Sequence, residues 1–159
     1  MFYFQPQKYK LMQATKMTII ILLMSLFSIA NVSAGGVDIV GTWEVGSKEA
    51  RITIFKTGNY YYGKISWLKN PNDEAGKPKT DIKNRDEHQH TKHILGLLIL
   101  KSFEYNAHEH IWDKGTVYDP KNGKTYSCKL VMVNNNTLEV RGFIGISMIG
   151  RTDTWTKVE

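Results

Sequence analysis

From residue 115 onward the chain alternates so regularly, and turns so sharply, that successive antiparallel strands are the reading that fits it. Asp119-Pro120-Lys121-Asn122-Gly123 has the chemistry of a tight turn. The Asp side chain can bond its own backbone, proline presets φ, and Asn-Gly tolerates the left-handed region. Residues 124–133 follow, Asn134-Asn135-Asn136 turns the chain again, and residues 137–144 return. That is a hairpin signature. A glycine-bounded connection, 145–150, leads to a last strand at 151–158.

The same grammar runs upstream. Residues 39–45 read as a first strand, and 50–56 set Ala50, Ile52 and Ile54 against Arg51 and Thr53. After the turn Thr57-Gly58-Asn59, a third strand at 60–68 places Tyr61, Gly63, Ile65 and Trp67 on one face. Such period-two patterns mark strands with one buried side. With 94–100 and 115–119 the count reaches eight, and the chain has no amphipathic helix, repeat or βαβ alternation. The expected fold is all-β: an eight-stranded antiparallel up-and-down barrel with one long loop excursion, closed so that no sheet edge is left exposed.

Two stretches depart from the pattern. Residues 69–93 hold Pro71, Gly76, Pro78 and nearly balanced charges, and loops that long inside a domain are uncommon unless functional or mobile. Residues 94–100 (ILGLLIL) are apolar on both faces. As a strand they need an outer cover, either the excursion or a second subunit of a homodimer.

Compartment follows from the leader. Residues 1–34 carry Lys8, Lys10 and Lys16 and no acid, then the apolar run 17–30, then Val32-Ser33-Ala34. Basic, apolar and small-residue regions in that order predict a cleaved signal peptide, with translation starting at Met1 or Met12. The run is shorter than the roughly 20 residues of a membrane span, so no stable insertion is expected after cleavage. A single domain, 35–159, periplasmic or secreted, is the expectation. Removing three lysines from 21 basic residues leaves 18 against 15 acidic ones, a charge of +3 spread along the chain, which gives no reason to expect nucleic acid. Cys128 is the sole cysteine and shares a face with Tyr126 and Leu130, as a buried, inert thiol would.

Two resemblances can now be stated. Gly41-Thr42-Trp43 on the first strand resembles the G-x-W of lipocalins and related calycin barrels. That likeness implies barrel closure by Gly41 and Trp43, with a basic residue of the last strand, Arg151 or Lys157, lying across the indole. Most of residues 41–157 is similar to an uncharacterised family of exported bacterial proteins with a lipocalin-like barrel. Its blocks are Tyr62-Gly63-Lys64-Ile65-Ser66-Trp67, Asp81-Ile82-Lys83-Asn84, Ile94-Leu95-Gly96-Leu97, Val117-Tyr118-Asp119-Pro120 with Gly123-Lys124-Thr125-Tyr126, and Val140-Arg141-Gly142-Phe143. This second likeness implies no activity, no cofactor and no catalytic residue.

Chemistry is sparse. His88, His90 and His93, with His108 and His110, could ligate a metal only if their loops converge, and no metal site is assigned. The 145–150 segment is one residue too long for a G-x-S-x-G elbow, and carboxylates are scattered, so no enzyme is expected. On the last strand Trp155 shares a face with Arg151, Asp153 and Lys157; whether that face points in or out stays open. The expected function is non-catalytic binding of a small, mostly apolar ligand inside the barrel, lined by Tyr61, Ile65, Trp67, Leu130, Met132 and Val140. The alternative is a solid barrel serving as a structural or interaction module, dimeric through 94–100. Any ligand is to be sought away from Trp43, under the excursion.

Overall fold

The structure, a computed structural model, describes residues 38–158 apart from Ser147. The signal peptide at 1–34 and the choice of start codon therefore lie outside the described residues. Eight strands follow in order: β1 (Gly41–Glu44), β2 (Ala50–Thr57), β3 (Tyr60–Leu68), β4 (Leu98–Asn106), β5 (Ile111–Asp119), β6 (Lys124–Asn134), β7 (Thr137–Phe143) and β8 (Gly150–Val158). Each pairs antiparallel with the next, and β1 pairs with β8, so the sheet closes as the expected eight-stranded barrel. The β2–β3, β4–β5 and β6–β7 turns gather at one end, here the base. The other four connections, including the excursion 69–97, form the rim.

Inward side chains fill the barrel. Trp43, Ile52, Ile54, Leu100, Phe103, Trp112, Leu130, Leu138 and Trp155 are all buried, with Tyr61, Ile65, Cys128 and Val140 among them. Two inward glycines show how tightly. A Cβ on Gly63 would stand 2.8 Å from the Leu100 side chain, and one on Gly115 would stand 2.4 Å from the Phe103 ring. Large side chains of β4 thus occupy the volume that β3 and β5 leave empty, consistent with an eight-stranded interior that side chains just fill.

At the base, Trp43 Nε1 donates to the Ile39 carbonyl at 2.8 Å, and the Lys157 ammonium lies 5.5 Å from the ring centroid. Gly41 has φ +140, and a Cβ there would meet the Lys157 stem at 3.2 Å. The glycine is needed because this lysine crosses it to reach the indole. Arg151, the residue expected to complete the closure, pairs with Gly142 at the far end of β8 and is exposed, out of reach of Trp43.

Bulges explain where alternation misleads. Arg51 pairs with Trp67 and Ile52 with Ile65, so Ser66 is an extra residue on β3. Trp67 is thereby turned outward, with the Arg51 guanidinium 4.8 Å from its centroid, and it cannot line the interior with Tyr61 and Ile65. Ser102 and Lys114 sit at φ +58 and +59 between the paired positions Lys101–Thr116 and Glu104–Asp113. The register shifts of β4 against β3 and of β5 against β6 at these points hide period two along 101–106 and 111–114, where no strand was expected. The expected strand at 94–100 begins only at Leu98, the preceding residues closing the excursion.

Trp155 points inward, and its indole N–H donates to the Asp153 carboxylate at 2.8 Å. Cys128 is buried, and burial pushes its thiol up to about 12. A thiolate-directed reagent at pH 8 should leave the folded protein unlabelled and label it in denaturant. Replacing Gly115 by Val should lower stability by about 1–3 kcal/mol in urea unfolding, and Phe103→Leu in the same chain should recover part of the loss.

Candidate functional site

The interior offers little room, whereas the rim holds a built site. Leu100 pairs with Val117 and Val117 with Tyr126, which sets these three on the inward face. Ile99 and Tyr118, one residue away from Leu100 and Val117, therefore face outward, yet both are buried. Their cover is the excursion. Asp81, completely buried, accepts the Tyr118 hydroxyl at 2.7 Å through one oxygen and the Asn84 amide at 2.7 Å through the other. The excursion, one of the two covers the sequence allowed, thus covers Ile99, while Leu95 of the apolar run stays exposed.

Further bonds hold the excursion in place. Asp81 N–H donates to Lys92 O and Ile94 N–H to Lys79 O, knitting its two limbs. Gly96 N–H donates to Ile65 O, and Leu97 O accepts from Ile65 N–H, so the descending limb joins β3. Asp86 caps a single 3₁₀ turn, Glu87–Gln89, by accepting from His88 N–H. Gly123 has φ +70, and a Cβ on it would fall 1.7 Å from Lys83 O, so only glycine lets the excursion rest on the β5–β6 turn. An unpaired buried carboxylate is costly, so Asp81 is tolerable only while its two donors stay in place. The expected excursion at 69–93 is an anchored arm.

Between that arm and the β4–β6 wall lies an open cleft of about 1130 Å³. Its lining includes the cations Arg85, Lys92, Lys101 and Lys124, the exposed acid Asp86, and the apolar Leu95, Leu97, Leu98 and Ile144. Tyr118, Thr125 and Tyr126 also line it, and the exposed Glu49–Lys121 pair ties the β1–β2 and β5–β6 turns. Desolvation, then the bond to Asp81, raises the Tyr118 phenol well above the usual tyrosine range.

The interior set expected from the sequence is divided. Tyr61, Ile65, Leu130 and Val140 are buried together in the barrel, Met132 packs at their edge, and Trp67 lies outside. None of the six lines the rim cleft. Sequence reasoning located the cleft's roof in the excursion but missed its residues. The available signal was the Asp81 block beside Val117-Tyr118, two quoted segments that turn out to touch. The histidines do not converge: His90 Nε2 bonds Asn84 O at the rim, and His110 Nδ1 bonds Tyr105 at the base. One interior donor, Trp112 Nε1, has no protein partner among the described residues.

Residues 41–157 match the family described as "Uncharacterized protein conserved in bacteria (DUF2147)", and the chain belongs to that family. No curated protein matches it. A solved structure described as "Protein HP1028 from the human pathogen Helicobacter pylori belongs to the lipocalin family" is similar over 77% of this chain and 84% of that one, with a TM-score of 0.67 and 17% identity. At that identity the likeness is one of fold, and the barrel is lipocalin-like.

Tyr118→Phe should remove one of the two donors to Asp81 and cost about 1–3 kcal/mol in urea unfolding, with faster proteolysis within the excursion. The raised phenol also sets an alkaline limit. Its stabilising effect is complete below about pH 10, the unfolded value, and is lost as pH rises through the folded one. The wild-type urea midpoint should fall more steeply above that pH than the Tyr118→Phe midpoint.

Proposed function

We propose that this member of the DUF2147 family is an exported, non-catalytic carrier that holds a small amphipathic molecule bearing an anionic group in the rim cleft. The observation that carries this reading is a cleft lined by both cationic and large apolar side chains, beside an arm held by the buried Asp81. An anion would meet Lys101, Lys124, Lys92 or Arg85, and a short apolar tail would lie along Leu95, Leu97, Leu98 and Ile144. Lipocalin-like barrels are compatible with small-ligand binding, but here the inward glycines receive neighbouring side chains, so an interior ligand would have to displace packed residues.

Catalysis is disfavoured by the same geometry. The best-formed titratable pair, Asp81 and Tyr118, is buried and mutually bonded, with Asp81's second oxygen held by Asn84. Both groups line the cleft, but the hydrogen bonds they make hold the arm in place. Export, to the periplasm or the medium, rests on the basic-then-apolar leader.

Dodecanoate and dodecanol discriminate the readings by calorimetry. The carboxylate should bind and the alcohol bind at least about tenfold more weakly, and Lys101→Glu with Lys124→Glu should abolish the difference. Equal binding of both, insensitive to the lysine changes and altered by Trp112→Phe, would move the ligand into the barrel and overturn the cleft reading.

A further inference from the structure

The β7–β8 connection carries an apolar surface that the cleft does not absorb. Ile144, Ile146, Met148 and Ile149 are exposed by 68%, 60%, 84% and 69%. Four large apolar side chains within six positions form a cluster of the kind that marks an interaction surface, unlike the scattered apolar residues of an ordinary exterior.

Their exposure is built in. Ile144 N–H donates to Ile149 O at 3.3 Å and Ile149 N–H to Ile146 O at 3.1 Å, so the connection closes on itself. Arg141 Nη2 reaches Met148 O at 3.3 Å and Nη1 reaches Thr152 Oγ1 at 2.9 Å, bracing it from the sheet. At its base a Cβ on Gly150 would stand 2.5 Å from Gly142 O, so the two limbs leave the barrel pressed together. With the Ile144 and Ile149 N–H groups bonded within the connection and its limbs pinched together, Ile144, Ile146, Met148 and Ile149 stay exposed.

The charge around it selects the partner. Ile144 lines the cleft together with Lys101 and Lys124, and Arg151 is exposed where β8 begins. Of the acids at this end, Asp153 receives the Trp155 indole, Asp81 is buried, Glu49 is paired with Lys121, Asp119 accepts within its own turn, and Asp86 and Glu87 are exposed on the arm. An apolar tip beside exposed cations is the two-signal arrangement that reversible attachment to an anionic bilayer requires. We propose that the Ile144–Ile149 loop docks this protein on an anionic membrane surface, its apolar tip entering the headgroup boundary and Lys101, Lys124 and Arg151 facing the phosphates. Since Ile144 belongs to both surfaces, docking would bring the cleft mouth to the lipid, though the docking argument does not depend on what the cleft holds.

Co-sedimentation of the mature chain with phosphatidylethanolamine vesicles containing roughly a quarter phosphatidylglycerol tests this. The wild type should pellet, high salt or pure phosphatidylcholine should weaken it, and Ile146→Ser with Ile149→Ser should reduce it at least about tenfold. Both changes are at exposed positions, and an unaltered near-ultraviolet circular dichroism spectrum confirms that the variant is folded. Because Cys128 is buried, Met148→Cys can be labelled with an environment-sensitive dye, whose emission should shift to the blue on these vesicles. Wild-type protein that stays in the supernatant, or a double variant that pellets equally, overturns the proposal. So does sedimentation showing that the loop residues drive self-association while vesicles leave the dye unchanged, since the loop would then be an interface between copies.

Discussion

Everything in this molecule depends on the pairing of β1 with β8. Once eight strands close, the circumference is set and the interior has room for little more than one layer of side chains from each wall. Every inward position then becomes a question of volume. Phe103 can enter because Gly115 faces it, and Leu100 because Gly63 does. Trp43 and Trp155 can enter because Ile39 O and Asp153 accept their N–H groups. The barrel is thereby a packed scaffold, and the open cleft lies at its rim.

The rim is organised by a buried charge. A carboxylate with no solvent exposure is held by two hydrogen bonds, one from the barrel wall and one from the arm itself. Burying it without them would cost several kcal/mol, so the arm's position is specified more sharply than apolar contact alone would specify it. The consequence is an open cleft beside an anchored arm, and next to it a connection whose apolar residues stay exposed.

The likeness to a lipocalin structure at 17% identity has a physical reading. What two such chains must share is alternation, turn placement and closure, and many sequences satisfy those. The cleft is made of residues outside that requirement, from an arm between β3 and β4 that the barrel does not need in order to close. Function therefore cannot be transferred with the fold.

The sequence by itself determined the class of fold, the number of strands, the turns and the long insertion, because period two and Gly, Pro and Asn placement are local properties. The resemblance of Gly41-Thr42-Trp43 to lipocalins added a basic residue of the last strand across Trp43. It could not choose Lys157 over Arg151, since that depends on which end of β8 meets β1. Nor could it foresee the outward turn of Trp67 or the strand segments around Ser102 and Lys114, because a bulge shifts the side-chain phase without changing residue type. Above all, only the tertiary structure brought Asp81 to Tyr118, 37 residues on. That contact makes the excursion an anchored arm, and it exists because the outer face of β4 and β5 had to be covered by something.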